Sequence, residues 1–424
     1  MKTKITLLLT LAFIQSLGAQ DGQNEAQRLF YLGETDQAAI VADSLLSRQP
    51  DDGALLFLKA RIEMARQRYA QALPALQQLV DQDSLHLDAF SALGQVYQEL
   101  GQIPEAISAL REAVLIAPDR SDLILKLAAL YNKRNAFLTV SALLRPLARH
   151  ETQNPLVFSL LAQSLIKQEN YPEAAYWSRK GLALDSLSYA NLLNLGIALF
   201  EKGASDSALA PLRKATAVSP QSDGAHYYLG EALIKQQDLE NGIKEHEICL
   251  EIGGAYKMKS MKTLPKYYYN IQNLEACVQT AEQYLTQVPD EAFVYHFKGR
   301  AEADLGLLDQ AATSFQKTLL FSNQDFIKMT YFYDALNAFQ GERFGQAISG
   351  YKTVLALDRQ FPYAYYNLAI AYDRYYEDKE PALRYYRRFI ELSKTQDVEA
   401  AFVETAKNRI ETLKAQSFLK TPAQ

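Results

Sequence analysis

Small residues recur along this chain at a step of 34: Ala26, Ala60, Gly94, Ala128, Ala162, Gly196 and Gly230. A second set keeps the same step through Ala38, Ala72, Ala106, Ala174, Ala208, Gly242 and Ala276, with Val140 filling the one place that changes type. A fixed period of this length is the signature of stacked supersecondary units. Within each half of a unit the apolar residues fall three and four apart, the spacing of an amphipathic helix. A small residue on each of two facing helices lets their backbones approach, while larger neighbours fill the seam. One such helical hairpin cannot bury its apolar face alone, so the units must stack.

The clearest unit reads Phe90, Leu93, Gly94, Tyr97, Gly101, Ala106, Leu110, Ala113, Pro118. Beyond residue 276 the step slips by one or two, but the units continue. They are marked by Gly299, Gly306, Ala311 and Phe315, then Tyr331, Ala335, Phe344, Ala347 and Tyr351, then Tyr365, Leu368, Ala369, Tyr372 and Ala382. These residues resemble the tetratricopeptide repeat family, in its bacterial exported form, over nearly all of the chain. The resemblance implies an all-α fold, a right-handed α-solenoid of about eleven helix-turn-helix repeats. One further helix, about 398–416, carries Glu404, Lys407, Arg409, Glu411 and Lys414 on one side and fits a C-terminal cap.

The expected organisation is a leader over 1–19, an N-terminal arm over 20–256, an aromatic-rich C-terminal arm over 257–397, and a capping helix and tail over 398–424. The boundary between the arms rests on Gly253-Gly254 and on Pro265, which falls inside an expected helix and should kink or break it. The stretch 250–270 then reads as a bend or hinge, or as a rigid but irregular repeat. It is also locally basic, with Lys257, Lys259, Lys262 and Lys266.

At the N-terminus, Lys2 and Lys4 precede an apolar stretch from Ile5 to Ile14, and Gly18-Ala19 offer a small-residue cleavage site before Gln20. The pattern points to export, to the periplasm or the cell exterior. The apolar stretch is too short for a lasting membrane span, and no other run is long and apolar enough. A net charge of -5 shows no basic bias of the kind nucleic-acid binding needs.

Little in the sequence suggests chemistry. The five histidines are scattered, and no metalloprotease, phosphate-loop, dinucleotide or nucleophile-elbow motif occurs. The repeats account for almost every residue, so no segment is left for a catalytic domain, and neither an enzyme nor a cofactor is expected. His226, His246, Cys249 and Cys277 form the one constellation with metal-ligand character. Ordinary packing explains it better, and no metal site is expected. The two cysteines are too few for a disulfide framework and read as buried free thiols, with mutual pairing the alternative.

The tyrosines carry more. Of 26, 19 lie beyond residue 212. The family resemblance implies a concave wall lined by first-helix residues off the core register. Here those residues are Tyr227, Tyr268, Tyr269, Phe293, His296, Arg300, Phe332, Tyr363 and Tyr366. An aromatic groove suits an extended protein segment, since rings give large contact area at low entropic cost. The alternative is that the rings pack between successive first helices. The family's carboxylate clamp for acidic chain ends is matched only by Asn194 and Asn367, with Ser91, Gln95, Leu156 and Leu160 where polar or basic partners are needed. The expected function is therefore a non-enzymatic scaffold that grips a protein partner. Self-assembly and glycan or cell-wall binding are the alternatives.

Overall fold

The computed structural model describes residues 19–150, 153–322 and 324–420. The expected leader lies outside them except for Ala19, which opens the first helix. Among the described residues there are 23 helices and no strand. The chain divides into two compact units, Met1–Pro211 and Leu212–Gln424.

In the first unit the helices run α1 (Ala19–Tyr31), α2 (Thr35–Leu46), α3 (Gly53–Ala65), α4 (Tyr69–Gln82), α5 (Leu87–Glu99) and α6 (Ile103–Ile116). They continue through α7 (Ser121–Lys133), α8 (Phe137–Arg149), α9 (Pro155–Lys167), α10 (Tyr171–Leu184) and α11 (Tyr189–Glu201). Helix α12 (Ser205–Val218) contains the division between the units. The second unit holds α13 (Asp223–Lys235), α14 (Leu239–Ile252), α15 (Lys257–Asn270), α16 (Leu274–Leu285), α17 (Ala292–Asp304) and α18 (Leu308–Phe321). It closes with α19 (Gln324–Gln340), α20 (Phe344–Leu357), α21 (Pro362–Tyr375), α22 (Glu380–Leu392) and α23 (Ala400–Lys420). Odd-numbered helices up to α21 are the first helices of hairpins, and even-numbered ones the second.

One turn joins the two helices of most hairpins. A residue with positive φ stands at Gly33, Gln67, Gly101, Asn135, Glu169, Gly203, Gln237, Gln272, Gly306 and Glu342. The amide next along donates five residues back, as in Arg68 N to Glu63 O at 2.8 Å and Leu307 N to Glu302 O at 2.8 Å. This left-handed closure satisfies carbonyls that the helix end would otherwise leave bare. The following helix is often started by a side chain: Asp52 accepts from Leu55 N and Asn154 from Leu156 N, both at 3.0 Å.

The small-residue register is where the helices touch. A Cβ on Gly94 would stand 2.6 Å from Leu110 Cγ, and one on Gly230 would stand 2.9 Å from the Gly242 carbonyl oxygen. Ala26, Ala60 and Ala162 are fully buried in the same place. Each hairpin then seals its neighbour. In the first unit Ala26, Leu45 and Leu55 share one cluster, and Ala106, Leu110, Leu123 and Leu127 another. In the second, Leu264, Tyr267 and Phe297 pack across α15 and α17, and Tyr351 and Leu368 across α20 and α21.

Two expectations need correction. Pro265 does not break its helix: α15 runs unbroken from Lys257 to Asn270 with Pro265 buried inside it. The ring occupies the small-residue slot, and burial of Met261, Leu264, Tyr267 and Tyr268 on the same helix offsets the lost backbone hydrogen bond. The final helix starts at Ala400 rather than 398 and reaches Lys420. It buries Ala406, Ile410 and Leu413 against Ala369 and Phe389, with Glu404, Lys407, Glu411 and Lys414 exposed.

Candidate functional site

In the second unit, Lys259, Lys262, Lys266 and Tyr269 follow one another by three, four and three residues, so they share one face of α15. Phe293, His296 and Arg300 share a face of α17 in the same way. The two faces meet at Arg300. Its guanidinium carbon lies 4.2 Å from the Tyr269 ring centroid and 4.2 Å from that of Tyr333 on α19. The cation is thus held between rings from the helices on either side, with Phe297 a third ring at 5.6 Å. The Tyr269 hydroxyl donates to Asp304 Oδ2 at 2.7 Å, which fixes the ring. Burial, and then this bond, push the Tyr269 hydroxyl up to about 12, so it stays a donor at any physiological pH. Arg300 Nε is buried and forms no hydrogen bond among the described residues.

The lysines extend the cationic face. Lys259 Nζ lies 4.8 Å from the Tyr256 centroid and 5.8 Å from that of Tyr227, and Lys262 pairs with Glu291 at 2.7 Å. Lys259 and Lys266 are exposed. A guanidinium with its faces on rings is pre-oriented and partly desolvated, so its remaining donors bind an acceptor group at reduced entropic cost.

Of the nine residues expected on the wall, Tyr227, Tyr269, Phe293, Arg300 and Tyr363 are half-buried. Tyr268, His296, Phe332 and Tyr366 are buried, at 7, 4, 8 and 8% exposure, rather than open to a ligand. The reason is their direction. Phe332 reaches Tyr351 on the second helix of its own hairpin at 6.0 Å, and Tyr366 reaches Phe389 at 5.0 Å. Tyr268 donates to Glu247 on α14 at 2.7 Å. His296 stands beside Tyr333, 5.5 Å between centroids, and burial and then the Arg300 charge push its pKa down to about 4. Tyr363 lies against Phe402 of α23 at 5.8 Å. The structure therefore gathers Tyr269 and Arg300 into one cluster, joins Tyr227 to its edge through Lys259, and leaves Tyr363 apart from it.

Tyr333 and the α15 lysines complete the cluster and were not expected there. Tyr333 follows a residue of the wall register directly, a place the register assigns to neither wall nor core. The lysines were read as part of a bend, although their spacing already put them on one face with Tyr269.

The remaining candidates have structural partners. His226 Nδ1 lies 2.6 Å from Glu245 Oε2, and His246 Nδ1 3.0 Å from Ser260 Oγ. Cys249 and Cys277 are buried free thiols, and burial pushes Cys277 up to about 12. Among the described residues no three His, Cys, Asp or Glu side chains converge as metal ligands. The clamp-like asparagines are occupied too: Asn194 donates to Ser159 O and Asn367 to Tyr363 O, both at 2.8 Å. No described helix is long and apolar enough to cross a membrane.

Comparison with known proteins agrees with this hairpin geometry. The family described as tetratricopeptide repeat matches residues 24–85, 57–122, 159–223 and 193–246. No curated protein matches the sequence. Similar solved structures include the APC/C hetero-tetramer Cut9-Hcn1, at 12% identity over 94% of this chain and 98% of that one, with a TM-score of 0.45. Yeast Tom70 is similar at 13% identity over 95% and 97%, with a TM-score of 0.39. The C-terminal part of a TPR repeat-containing protein from Cytophaga hutchinsonii is similar at 20% identity over 56% and 95%, with a TM-score of 0.45. By its 34-residue register, its repeated hairpin turn and the family match over 24–122 and 159–246, the chain carries tetratricopeptide repeats.

Proposed function

We propose that the protein is a non-enzymatic scaffold that holds a segment of a partner protein on the first-helix face of its second unit. Tetratricopeptide repeat proteins commonly mediate protein–protein interaction. The observation that carries the assignment to this face is Arg300, clamped between Tyr269 and Tyr333 beside exposed Lys259 and Lys266. Rings and an oriented guanidinium are the residue types that dominate binding energy at protein interfaces. Export of the chain belongs to the same proposal and rests on the Lys2, Lys4 and Ile5–Ile14 pattern.

The test is capture from an envelope extract with tagged residues 20–424, beside a Tyr269→Ser, Arg300→Ala variant. A protein held by the wild type and lost by the variant, with helical content unchanged, supports this face. The same protein held equally by both removes it. A chain that captures only itself turns the reading to self-assembly.

A further inference from the structure

Helix α15 carries four lysines, Lys257, Lys259, Lys262 and Lys266, and no carboxylate. Together with α13, α17 and Glu291 at the start of α17, it holds seven cations and five carboxylates. The local excess is positive in a chain whose net charge is -5. How these charges pair matters more than their number, and all five carboxylates have partners within the fold. Asp223 accepts from the Gly224 and Tyr256 amides at 2.9 and 2.8 Å, Glu231 from the Tyr267 hydroxyl at 3.1 Å, and Asp304 from the Tyr269 hydroxyl at 2.7 Å. Glu291 pairs with Lys262 at 2.7 Å, and Glu302 with Lys298.

Lys259, Lys266 and Arg300 are different: among the described residues they enter no ion pair. Their charges meet rings instead, Lys259 at Tyr256, Lys266 at Tyr267, and Arg300 at Tyr269 and Tyr333. A ring face attracts a cation without neutralising it. The three cations also form a row. Lys259 and Lys266 are about 10 Å apart along the helix axis, a span that roughly three residues of extended chain cover. Three residues beyond Lys266, Tyr269 carries Arg300 against its ring. With rings at its faces and Nε buried, Arg300 has its terminal Nη donors left to offer, edge-on, as a carboxylate accepts them.

We infer that the segment held on this face is acidic: an extended stretch of a partner protein whose carboxylates pair with Lys259, Lys266 and Arg300. The inference rests on the first-helix face around Arg300 being the binding face, and adds the chemistry of its occupant. Charge complementarity selects an acidic segment over a neutral or basic one. The net charge of -5 opposes broad attraction to a nucleic acid or an anionic membrane, so a short segment that meets only this row is favoured over either.

The test measures binding of fluorescent deca-glutamate, with both chain ends blocked, to the full chain by anisotropy. Deca-glutamine is the uncharged control, and deca-thymidylate and phosphatidylglycerol vesicles are the other polyanions. One variant joins Lys259→Gln to Lys266→Gln. Its control joins Lys133→Gln to Lys167→Gln, the same charge change at exposed sites of the first unit. The wild type and the control variant are expected to bind deca-glutamate at least tenfold better than deca-glutamine, and the α15 variant to lose that preference with its helical content unchanged. No binding of deca-glutamate, equal binding of the two peptides, or an equal loss in both variants would overturn the inference. Binding of either other polyanion as tight as that of deca-glutamate would overturn it too. Capture from extract separates this failure from failure of the face. A protein lost by Tyr269→Ser, Arg300→Ala but held by the α15 variant contradicts the acidic segment alone. One held by every variant removes the face as well.

Discussion

Arg300 and Tyr269 lock each other in place: the guanidinium lies 4.2 Å from the ring centroid, while Asp304, on the same helix as Arg300, holds the Tyr269 hydroxyl at 2.7 Å. The ring is fixed at face and tip by one neighbouring helix, so α15 and α17 keep a defined spacing on this face. Arg300→Ala removes three cation–π contacts, two of them close, and is expected to cost about 1–2 kcal/mol in denaturant unfolding. Arg300→Lys keeps the charge but loses the flat stacking surface, and is expected to recover less than half of that loss. Tyr269→Phe keeps the stack and loses only the hydroxyl bond, about 1 kcal/mol.

The hairpin turns give a prediction of opposite sign. Gln237 closes the turn between α13 and α14 at φ 64°, a region costly for a residue with a Cβ. Gln237→Gly is expected to raise stability by about 0.5–1 kcal/mol, because relief of that strain exceeds the added freedom of the unfolded chain. Gly230→Ala is expected to destabilise by about 1–3 kcal/mol, since its Cβ meets the Gly242 carbonyl at 2.9 Å. Thermal melts of the two variants separate the effects.

Two histidines set opposed pH slopes. Burial, then Arg300, depress His296 from 6.5 to about 4, so between those values the folded state binds fewer protons than the unfolded one. Its contribution is complete above 6.5 and falls by roughly 3 kcal/mol as the pH drops to 4. The hydrogen bond to Glu245 raises His226, so its contribution is complete below 6.5 and is lost as the pH rises through the raised value. Urea unfolding from pH 4 to 8 should show His296→Phe less sensitive to acid than the wild type. His226→Gln should show a smaller decline above 6.5.

The terminal helix is held by one bidentate pair. Arg409 Nε and Nη2 donate to the two carboxylate oxygens of buried Asp373 at 2.6 and 3.1 Å. Arg409→Met leaves that carboxylate with Lys379 alone, at 3.7 Å. The expected result is a loss of about 1–3 kcal/mol and faster hydrogen exchange in Ala400–Lys420, while α13–α18 are unchanged.

The architecture was largely legible because close helix packing leaves its mark in residue size. Gly94 against Leu110, and Gly230 against Gly242, tolerate no larger side chain, so the period appears in the sequence itself. Pro265 was misread because propensity speaks only for the isolated helix, and here tertiary burial decides. The site was less legible. Phe332 and Arg300 both lie off the main core register, but Phe332 is sealed between Tyr351 of its own hairpin and Phe361 at the start of the next, while Arg300 lies between the half-buried rings of neighbouring first helices. That distinction depends on how successive hairpins are set, and their step changes here: 35 residues separate Gln237 from Gln272, and 36 separate Gly306 from Glu342. The slipped register placed Tyr331, Phe332 and Ala335 but assigned Tyr333 to neither wall nor core.

The central claim is that the first-helix face around Arg300 meets a partner protein. The most direct measurement places a photo-crosslinking residue at Lys266, exposed on that face, and in a second protein at Leu320, 69% exposed on α18. Both are irradiated in extract of the source cells. A discrete adduct formed from position 266, absent from position 320 and lost when Arg300→Ala is added, is the predicted result. Equal adducts from both positions, or one from 320 alone, would contradict it.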